Sequence, residues 1–200
     1  MGREKFPATY EDIEALPVGW VGELIDDALW AFPRPAKWHA WAASVLGVVL
    51  GSTYGEGGGE PGGWWLLDEP ELHLGRQVLV PDLAGWRRER VPDLLARDEP
   101  FFDVAPDWVC EVLSPSTAAL DRGRKMALYH QEGVGHAWLV DPRAQALEVY
   151  RREASGWRLV GRHGGSEVIH AEPFDAEPLD LGRLWVPRAP VAPGDNSHQG

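Results

Sequence analysis

The sequence is poor in the residues and motifs that mark several common classes of site. It contains one cysteine, Cys110, in 200 residues, which excludes an intramolecular disulfide and a cysteine-rich zinc site. Its seven histidines include no pair at the HExxH spacing of zinc hydrolases. There is no GxxxxGK[ST] phosphate loop, no GxSxG nucleophile elbow and no dinucleotide-binding fingerprint. These absences argue against zinc hydrolases, P-loop enzymes, serine hydrolases and dinucleotide-dependent enzymes.

Long apolar runs are also missing. No stretch approaches the roughly 18 apolar residues that a membrane-spanning helix needs. The first residues, MGREKFPATYEDIEAL, have no apolar core of the kind found in signal peptides. We therefore expect an unexported, cytoplasmic protein with no membrane partner, and a reducing compartment suits a chain with one cysteine.

Basic side chains are also fewer than acidic ones. The 19 Lys and Arg residues face 31 Asp and Glu residues, which gives a net charge of −12. An acidic protein is not drawn non-specifically to the phosphate backbone of nucleic acids. The overall charge therefore weighs against nucleic acid as a partner.

The length and the apolar content that the chain does have predict one globular domain. With 200 residues and 44% hydrophobic side chains, the chain can bury a core without disulfides or metals. We expect this domain to span residues 1–186. The tail 187–200, PRAPVAPGDNSHQG, is rich in Pro, Gly and polar residues and is predicted to be disordered.

Three helices are predicted from the spacing of apolar residues and from capping residues. Tyr10 to Ala15 follows the predicted N-cap Thr9. Residues 37–54 carry apolar side chains at helical spacing, and residues 116–131 have helical character, with Gly133 as the predicted C′ residue.

The remaining ordered segments are predicted to be strands. Residues 21–32 suggest a hairpin that turns at Asp26 and Asp27, and residues 64–75 and 76–86 suggest two strands joined near Gly75. Glycine-rich residues 55–63 are predicted to form a flexible loop. Short alternating runs between residues 136 and 170 are typical of an antiparallel meander.

The segment PDWVCEVLSPST, residues 106–117, places one carboxylate, Glu111, inside an apolar run. Burial of an unpaired charge is costly, so Glu111 requires a positively charged partner. In a strand Glu111 shares its face with Val109 and Leu113. Asp82 follows the apolar run 78–80, and if the two strands are neighbours, its carboxylate meets that of Glu111. Two such oxygen ligands suit Mg²⁺.

Lys125 follows Glu111 by fourteen positions, on the helix predicted after Ser114 and Pro115. A lysine on a helix packed beside the strand end could bring its ammonium group close to the two acids. There it would stabilise a developing negative charge or orient water. Asp82, Glu111 and Lys125 are therefore the candidate catalytic residues.

The same motifs, in this order, resemble the Uma2 family (DUF820) of restriction endonucleases in the PD-(D/E)xK nuclease superfamily. The resemblance covers about residue 10 to Trp185 and rests on the following matches: GELIDD at 22–27, LVPDLAG at 79–85, PDWVCEVLSPST at 106–117, Lys125, Tyr129, Gly133 and Val134, Trp138, Asp141 and Pro142.

This resemblance implies a fold and an activity. The fold is a restriction-endonuclease-like α/β core with a mixed β-sheet flanked by helices, followed by the antiparallel meander. The activity is magnesium-dependent, or manganese-dependent, hydrolysis of nucleic acid, with DNA favoured and with Asp82, Glu111 and Lys125 at the catalytic positions. Asp82 and Glu111 would bind the metal, together with Glu23 from the N-terminal motif.

The chain departs from the family pattern at two positions. The superfamily lysine usually lies two residues after the acid, where this chain has Leu113, so its role passes to Lys125. Asp27 stands where the family often has glycine.

Each candidate residue also has a purely structural interpretation. Asp82 could end a strand, Glu23 could be a solvated strand residue, and Lys125 could pair with Asp121 one helical turn earlier. Packing is the favoured role for Tyr129 and Trp138, and His39 is interpreted as a surface or core histidine. The following basic residues near the site could contact phosphate or belong to solvated charged segments: Arg87, Arg88, Arg90, Arg122, Arg124 and Lys125.

Three functions are consistent with these residues. The first is a metal-dependent nuclease. The second is a catalytically silent nuclease-fold module for binding or assembly, homodimeric through exposed aromatic side chains. The third, a glycosidase with paired carboxylates, would need neither Lys125 nor a metal.

Overall fold

The structure is a computed structural model that describes residues 3–33, 36–55 and 63–186. Within these ranges the strands form a five-stranded sheet of order β1-β3-β2-β6-β5, a six-stranded sheet of order β11-β10-β9-β8-β7-β4, and a two-stranded sheet of β12 and β13. The strands are β1 (Arg3–Lys5), β2 (Trp20–Ile25), β3 (Ala28–Pro33), β4 (Trp64–Asp68), β5 (Leu72–Leu74), β6 (Gln77–Leu79), β7 (Leu83–Arg87), β8 (Trp108–Val112), β9 (His136–Asp141), β10 (Ala146–Glu153), β11 (Gly156–Gly164), β12 (Val168–Ile169) and β13 (Leu179–Asp180).

The helices lie between these strands. They are α1 (Tyr10–Glu14), α2 (Lys37–Tyr54), α3 (Ala118–Leu120), a π-helical segment (Asp121–Lys125), α4 (Met126–Gln131) and a 3₁₀-helix (Leu181–Leu184). Within residues 3–33, 36–55 and 63–186, no helix is long and apolar enough to span a bilayer.

The six-stranded sheet is mixed, as predicted. Strand β8 runs parallel to β9, whereas its other neighbour, β7, is antiparallel. The parallel pair is connected through α3, the π-helical segment and α4, as a parallel connection requires a crossover. Helix α2 packs on one face of this sheet and α4 on the other. The predicted arrangement of a mixed sheet flanked by helices is confirmed.

Several local predictions are also confirmed. Helix α2 spans the predicted residues Lys37–Tyr54, and its buried side chains include Leu46 and Leu50. At the start of α1, the Asp12 carboxylate accepts a hydrogen bond from the Thr9 N–H at 3.0 Å. The turn between β2 and β3 uses positive φ angles of 54° at Asp26 and 62° at Asp27, the geometry of a two-residue hairpin turn with right-handed twist.

The predicted strand over residues 76–86 is wrong in one respect that matters for the site. The chain forms β6 in the five-stranded sheet and, after residues 80–82, forms β7 in the six-stranded sheet. Pro81 has no N–H to donate to a sheet ladder, so a break in the strand at this point has a physical cause. Asp82 therefore precedes β7 instead of ending the strand before it.

Two further predictions need correction. The antiparallel meander comprises β9, β10 and β11, whereas Val168 and Ile169 pair with β13 in a separate sheet. The predicted helix 116–131 begins at Ala118 and contains the π-helical segment, which the apolar spacing does not show. Residues 56–62 of the predicted loop, and the tail 187–200, lie outside the described residues.

Candidate active site

Glu111 lies in the middle of the six-stranded sheet and is 3% exposed. Its strand neighbours divide between the two faces as predicted: Cys110 and Val112 pack on the side of α2, while Val109 and Leu113 pack on the side of α4. The partners that its burial requires are present on the α4 side. The Lys125 ammonium lies 2.8 Å from Glu111 Oε1, and the Tyr129 hydroxyl donates a hydrogen bond to the same oxygen at 2.6 Å.

Asp82 is placed beside Glu111 by the pairing of β7 with β8. Leu83 pairs with Cys110 in this antiparallel ladder, so Asp82, one residue earlier, is adjacent to the position of Glu111. Asp82 Oδ2 accepts a hydrogen bond from the Val112 N–H at 2.6 Å. Asp82 and Glu111 therefore lie on adjacent strands, as the sequence predicts.

Lys125 ends the π-helical segment and is also 3% exposed. Its Nζ lies 2.8 Å from Glu111 Oε1 and 2.9 Å from Glu23 Oε1, and it donates to the Val80 carbonyl oxygen at 3.3 Å. The Asp121 carboxylate, the partner in the structural interpretation, is more distant at 3.8 Å. The main contacts of Lys125 are therefore long-range contacts with acids on two different sheets.

Glu23 approaches the cluster from β2. Besides its ion pair with Lys125, Glu23 Oε1 accepts a hydrogen bond from the Val80 N–H at 2.8 Å. The positive charge next to Glu23 is therefore the ammonium group of Lys125. Across the described ranges, no group of three or more His, Cys, Asp or Glu side chains has an arrangement that would hold a metal ion.

Burial and charge together set the protonation of this cluster. Desolvation alone would lower the pKa of Lys125, but attraction to Glu111 and Glu23 outweighs it and holds the pKa well above its usual value. Desolvation raises the pKa of Glu111 well above its usual range, although Lys125 opposes the rise. Desolvation also raises the pKa of Asp121 to about 6. Lys125 is therefore charged throughout the neutral range. More acidic than basic side chains surround it.

The cluster lines a cavity of about 350 Å³. Side chains of Glu23, Asp82, Glu111, Asp121 and Lys125 reach this cavity, together with those listed here: Val21, Phe32, Pro33, Ala36, His39, Glu69, Val80, Ser114, Pro115, Ser116 and Thr117. Among these described lining residues, Lys125 is the only lysine or arginine. The cavity is thus acidic, with one permanent positive charge at its wall.

The arginines of the predicted basic cluster are engaged elsewhere. Arg90 and Arg122 pair with Asp107 and Glu148. Arg124 forms an ion pair with Asp26, and the guanidinium groups of Arg87 and Arg88 stack over Trp64 and Trp65. These five arginines are therefore better explained by structural contacts than by phosphate binding. Of the six basic residues, only Lys125 lines the cavity.

Sequence reasoning undervalued two residues that contact the candidate acids. Tyr129 is buried as predicted, but its hydroxyl also binds Glu111. His39, interpreted as a surface or core histidine, has Nε2 3.1 Å from Asp82 Oδ1. Tyr129 follows Lys125 by four positions, a spacing that puts both on one helix face, whereas nothing near His39 in the sequence points to Asp82.

The donor chemistry of Asp82 and Glu111 fits a magnesium ion. Both are carboxylates that reach one cavity, and Mg²⁺ is commonly bound through one or two carboxylates while it keeps several waters. Both contacts of Glu111 are made through Oε1. The Oδ atoms of Asp82 each accept one hydrogen bond or ionic contact, and each carboxylate oxygen has a second lone pair.

The chain is similar to proteins of one family. Residues 7–180 match the family model Uma2, described as "Putative restriction endonuclease". "Uncharacterized protein slr1290" of Synechocystis sp. is 26% identical over 154 residues, which cover 74% of this chain and 74% of that protein. The crystal structure of "a putative nuclease belonging to DUF820" from Anabaena variabilis has a TM-score of 0.72 and 22% identity, and the match covers 90% of this chain and 98% of that chain. This last likeness confirms the predicted fold class.

Proposed function

Because the chain belongs to the Uma2 restriction endonuclease family, we propose that it is a magnesium-dependent endonuclease that hydrolyses phosphodiester bonds of DNA. Asp82 and Glu111 are the proposed metal ligands, and Lys125 is the proposed residue that stabilises the transition state. The observation that carries the proposal is the meeting of these three side chains, from separate elements, in one cavity.

The proposed roles follow from the charges and contacts of the side chains. A bound Mg²⁺ would supply Lewis-acid polarisation of the phosphate and a more acidic water. The Val112 N–H and the Tyr129 hydroxyl hold the Asp82 and Glu111 carboxylates in fixed positions. The positive charge of the Lys125 ammonium, fixed between Glu111 and Glu23, would stabilise the negative charge that develops on a phosphate oxygen. Glu23 orients Lys125 in this arrangement, and a direct bond from Glu23 to the metal is not required.

A catalytically silent binding or assembly module is the second candidate function. It is favoured by the acidity of the cavity, in which Lys125 is the only lysine or arginine among the described lining residues. In such a protein the Glu111, Lys125 and Glu23 contacts would serve to stabilise the fold. This candidate predicts a stable homodimer in solution and no turnover of nucleic acid.

The two candidates are separated by a magnesium titration of cleavage. Purified protein is incubated with single-stranded DNA, double-stranded DNA and RNA, with and without EDTA. The nuclease proposal predicts that DNA is cut in the presence of Mg²⁺ or Mn²⁺, that EDTA stops the reaction, and that added metal restores it.

The variant Asp82→Asn keeps the size of the side chain and is expected to lose the cleavage. Asp103→Asn is its control, because Asp103 pairs with Arg97 in an exposed ion pair away from the cavity. Cutting of RNA alone would correct the substrate. If no nucleic acid is cut and light scattering shows a stable dimer, the second candidate is correct.

A further inference from the structure

His39 contacts Asp82 and has no role in the proposed function as stated above. It lies in the first turn of α2, and its side chain is 11% exposed. Its Nε2 lies 3.1 Å from Asp82 Oδ1, while Oδ2 of the same carboxylate accepts the hydrogen bond from the Val112 N–H at 2.6 Å. The two oxygens of Asp82 are thus held from two different elements, α2 and β8.

The other ring nitrogen of His39 has no such partner. In the described part of the chain, Nδ1 is buried and has no hydrogen bond. A buried polar atom without a partner lowers stability, and an apolar side chain of similar size at this position would avoid that loss. Within the described residues, the contact with Asp82 is therefore the one hydrogen-bonding interaction that the His39 ring makes.

The location of the pair supports a role in ligand binding. His39 and Asp82 line both the cavity of about 350 Å³ and a second cavity of about 490 Å³ that lies along α2. Val21 and Glu69 are also shared by the two cavities. The Asp82 carboxylate is therefore accessible from the cavities although it is held on both oxygens.

We infer that His39 is a positioning residue that fixes the Asp82 carboxylate for metal binding. The inference rests on the proposed function, because it concerns the same metal. An ionised carboxylate only accepts hydrogen bonds, so Nε2 carries the proton and donates to Oδ1. Groups that orient a metal ligand in this way typically change metal affinity or activity by about 10–100-fold when they are removed.

The test is Mn²⁺ binding to the full chain, measured by isothermal titration calorimetry without DNA. His39→Leu removes the donor and is expected to weaken Mn²⁺ binding by about 10–100-fold. His39→Gln carries an amide N–H₂ that can take the place of Nε2, so it is expected to recover most of the affinity. Thermal unfolding of the metal-free variants checks that each protein is folded.

A third variant keeps the test decisive if His39→Leu does not fold. The side chain of His39→Asn is too short to replace Nε2, so it is expected to bind Mn²⁺ as weakly as a variant with no donor. Wild-type affinity in His39→Leu or His39→Asn would overturn the inference, and so would a glutamine variant as weak as the asparagine one.

Failure of the proposed function gives a different result. If the wild-type protein binds no Mn²⁺, the metal site itself is wrong and the role of His39 falls with it. If the wild-type protein binds Mn²⁺ and the donor at position 39 makes no difference, only the inference about His39 is overturned.

Discussion

Replacement of Lys125 by methionine is expected to lower the free energy of unfolding by about 3–5 kcal/mol, because removal of one partner leaves the charge of a buried ion pair uncompensated. The Glu111 and Glu23 oxygens lie 2.8 and 2.9 Å from Nζ, and both side chains are almost completely buried. Water therefore cannot easily take the place of the ammonium group. Methionine has a similar length, so the effect reports the lost charge more than a cavity. Urea unfolding measures it.

The size of this loss is expected to depend on pH. The pKa of Lys125 is raised, so its stabilising contribution is present below its usual pKa and is lost only when the pH rises through the higher folded value. In the variant, Lys125 no longer opposes the rise that desolvation causes in the pKa of Glu111 and of Asp121, so the protonated forms of these two acids stabilise the fold at low pH and this contribution is lost as the pH rises. We therefore expect the variant to be closest to the wild type near pH 5 and furthest from it near pH 8.

Lys5→Met is the matched control for this measurement. Lys5 also forms an ion pair, with Asp12 at 2.6 Å, but its side chain is 58% exposed. Exposed ion pairs contribute little to stability, so this variant is expected to unfold almost like the wild type. Equal losses in Lys125→Met and Lys5→Met would show that the buried cluster does not need its cation.

Glu111→Gln is expected to reduce metal-dependent cleavage at least about a hundredfold, since the change removes a proposed metal ligand while it keeps the shape of the side chain. The side-chain oxygen of the glutamine can still accept the hydrogen bond from Tyr129. Lys125 also keeps its ion pair with Glu23 at 2.9 Å, so the fold is expected to remain intact by circular dichroism. Single-turnover cleavage of the DNA identified in the magnesium titration, at saturating protein, measures the loss.

Glu69→Gln provides the comparison for this variant. Glu69 lines the same cavity, so its change removes one negative charge from the cavity without a change in the proposed metal ligands. Its cleavage rate is expected to stay close to that of the wild type. A Glu111→Gln protein that cuts at the wild-type rate would mean that Glu111 serves only to pair with Lys125.

The predictions from sequence were most successful where one element carries its own pattern. Apolar residues at helical spacing predicted α2, and the two aspartates between β2 and β3 predicted the turn. The need of Glu111 for a positive partner was also visible, because an acid in a buried apolar run is costly wherever the strand lies. These features depend on residues that are close together in the chain, so they can be recognised in a single sequence.

The passage of the chain from one sheet to the other could not be predicted in the same way. The apolar residues on both sides of Pro81 look like one strand, and only the fold assigns β6 and β7 to different sheets. This passage brings Asp82 next to β8 and the Val80 backbone next to Glu23 and Lys125. Contacts of this kind depend on how the two sheets pack against each other. The local sequence pattern does not show this packing.

The contacts of Lys125 show the same limit. Its spacing from Asp121 suggested a pair within one helix, but the π-helical segment turns more widely than an α-helix, and the closest acids are on β2 and β8. The contact between His39 and Asp82 joins residues on a helix and at a strand start, far apart in the sequence. A sequence pattern at either residue does not reveal the other.

The most direct measurement of the proposed metal site is anomalous X-ray scattering from crystals of the wild-type protein grown with Mn²⁺. The account predicts one strong manganese peak within bonding distance of carboxylate oxygens of both Asp82 and Glu111, with the Lys125 ammonium beside it in the same cavity. Well-ordered crystals at saturating Mn²⁺ with no peak at these two carboxylates, or with manganese bound only elsewhere, would contradict it.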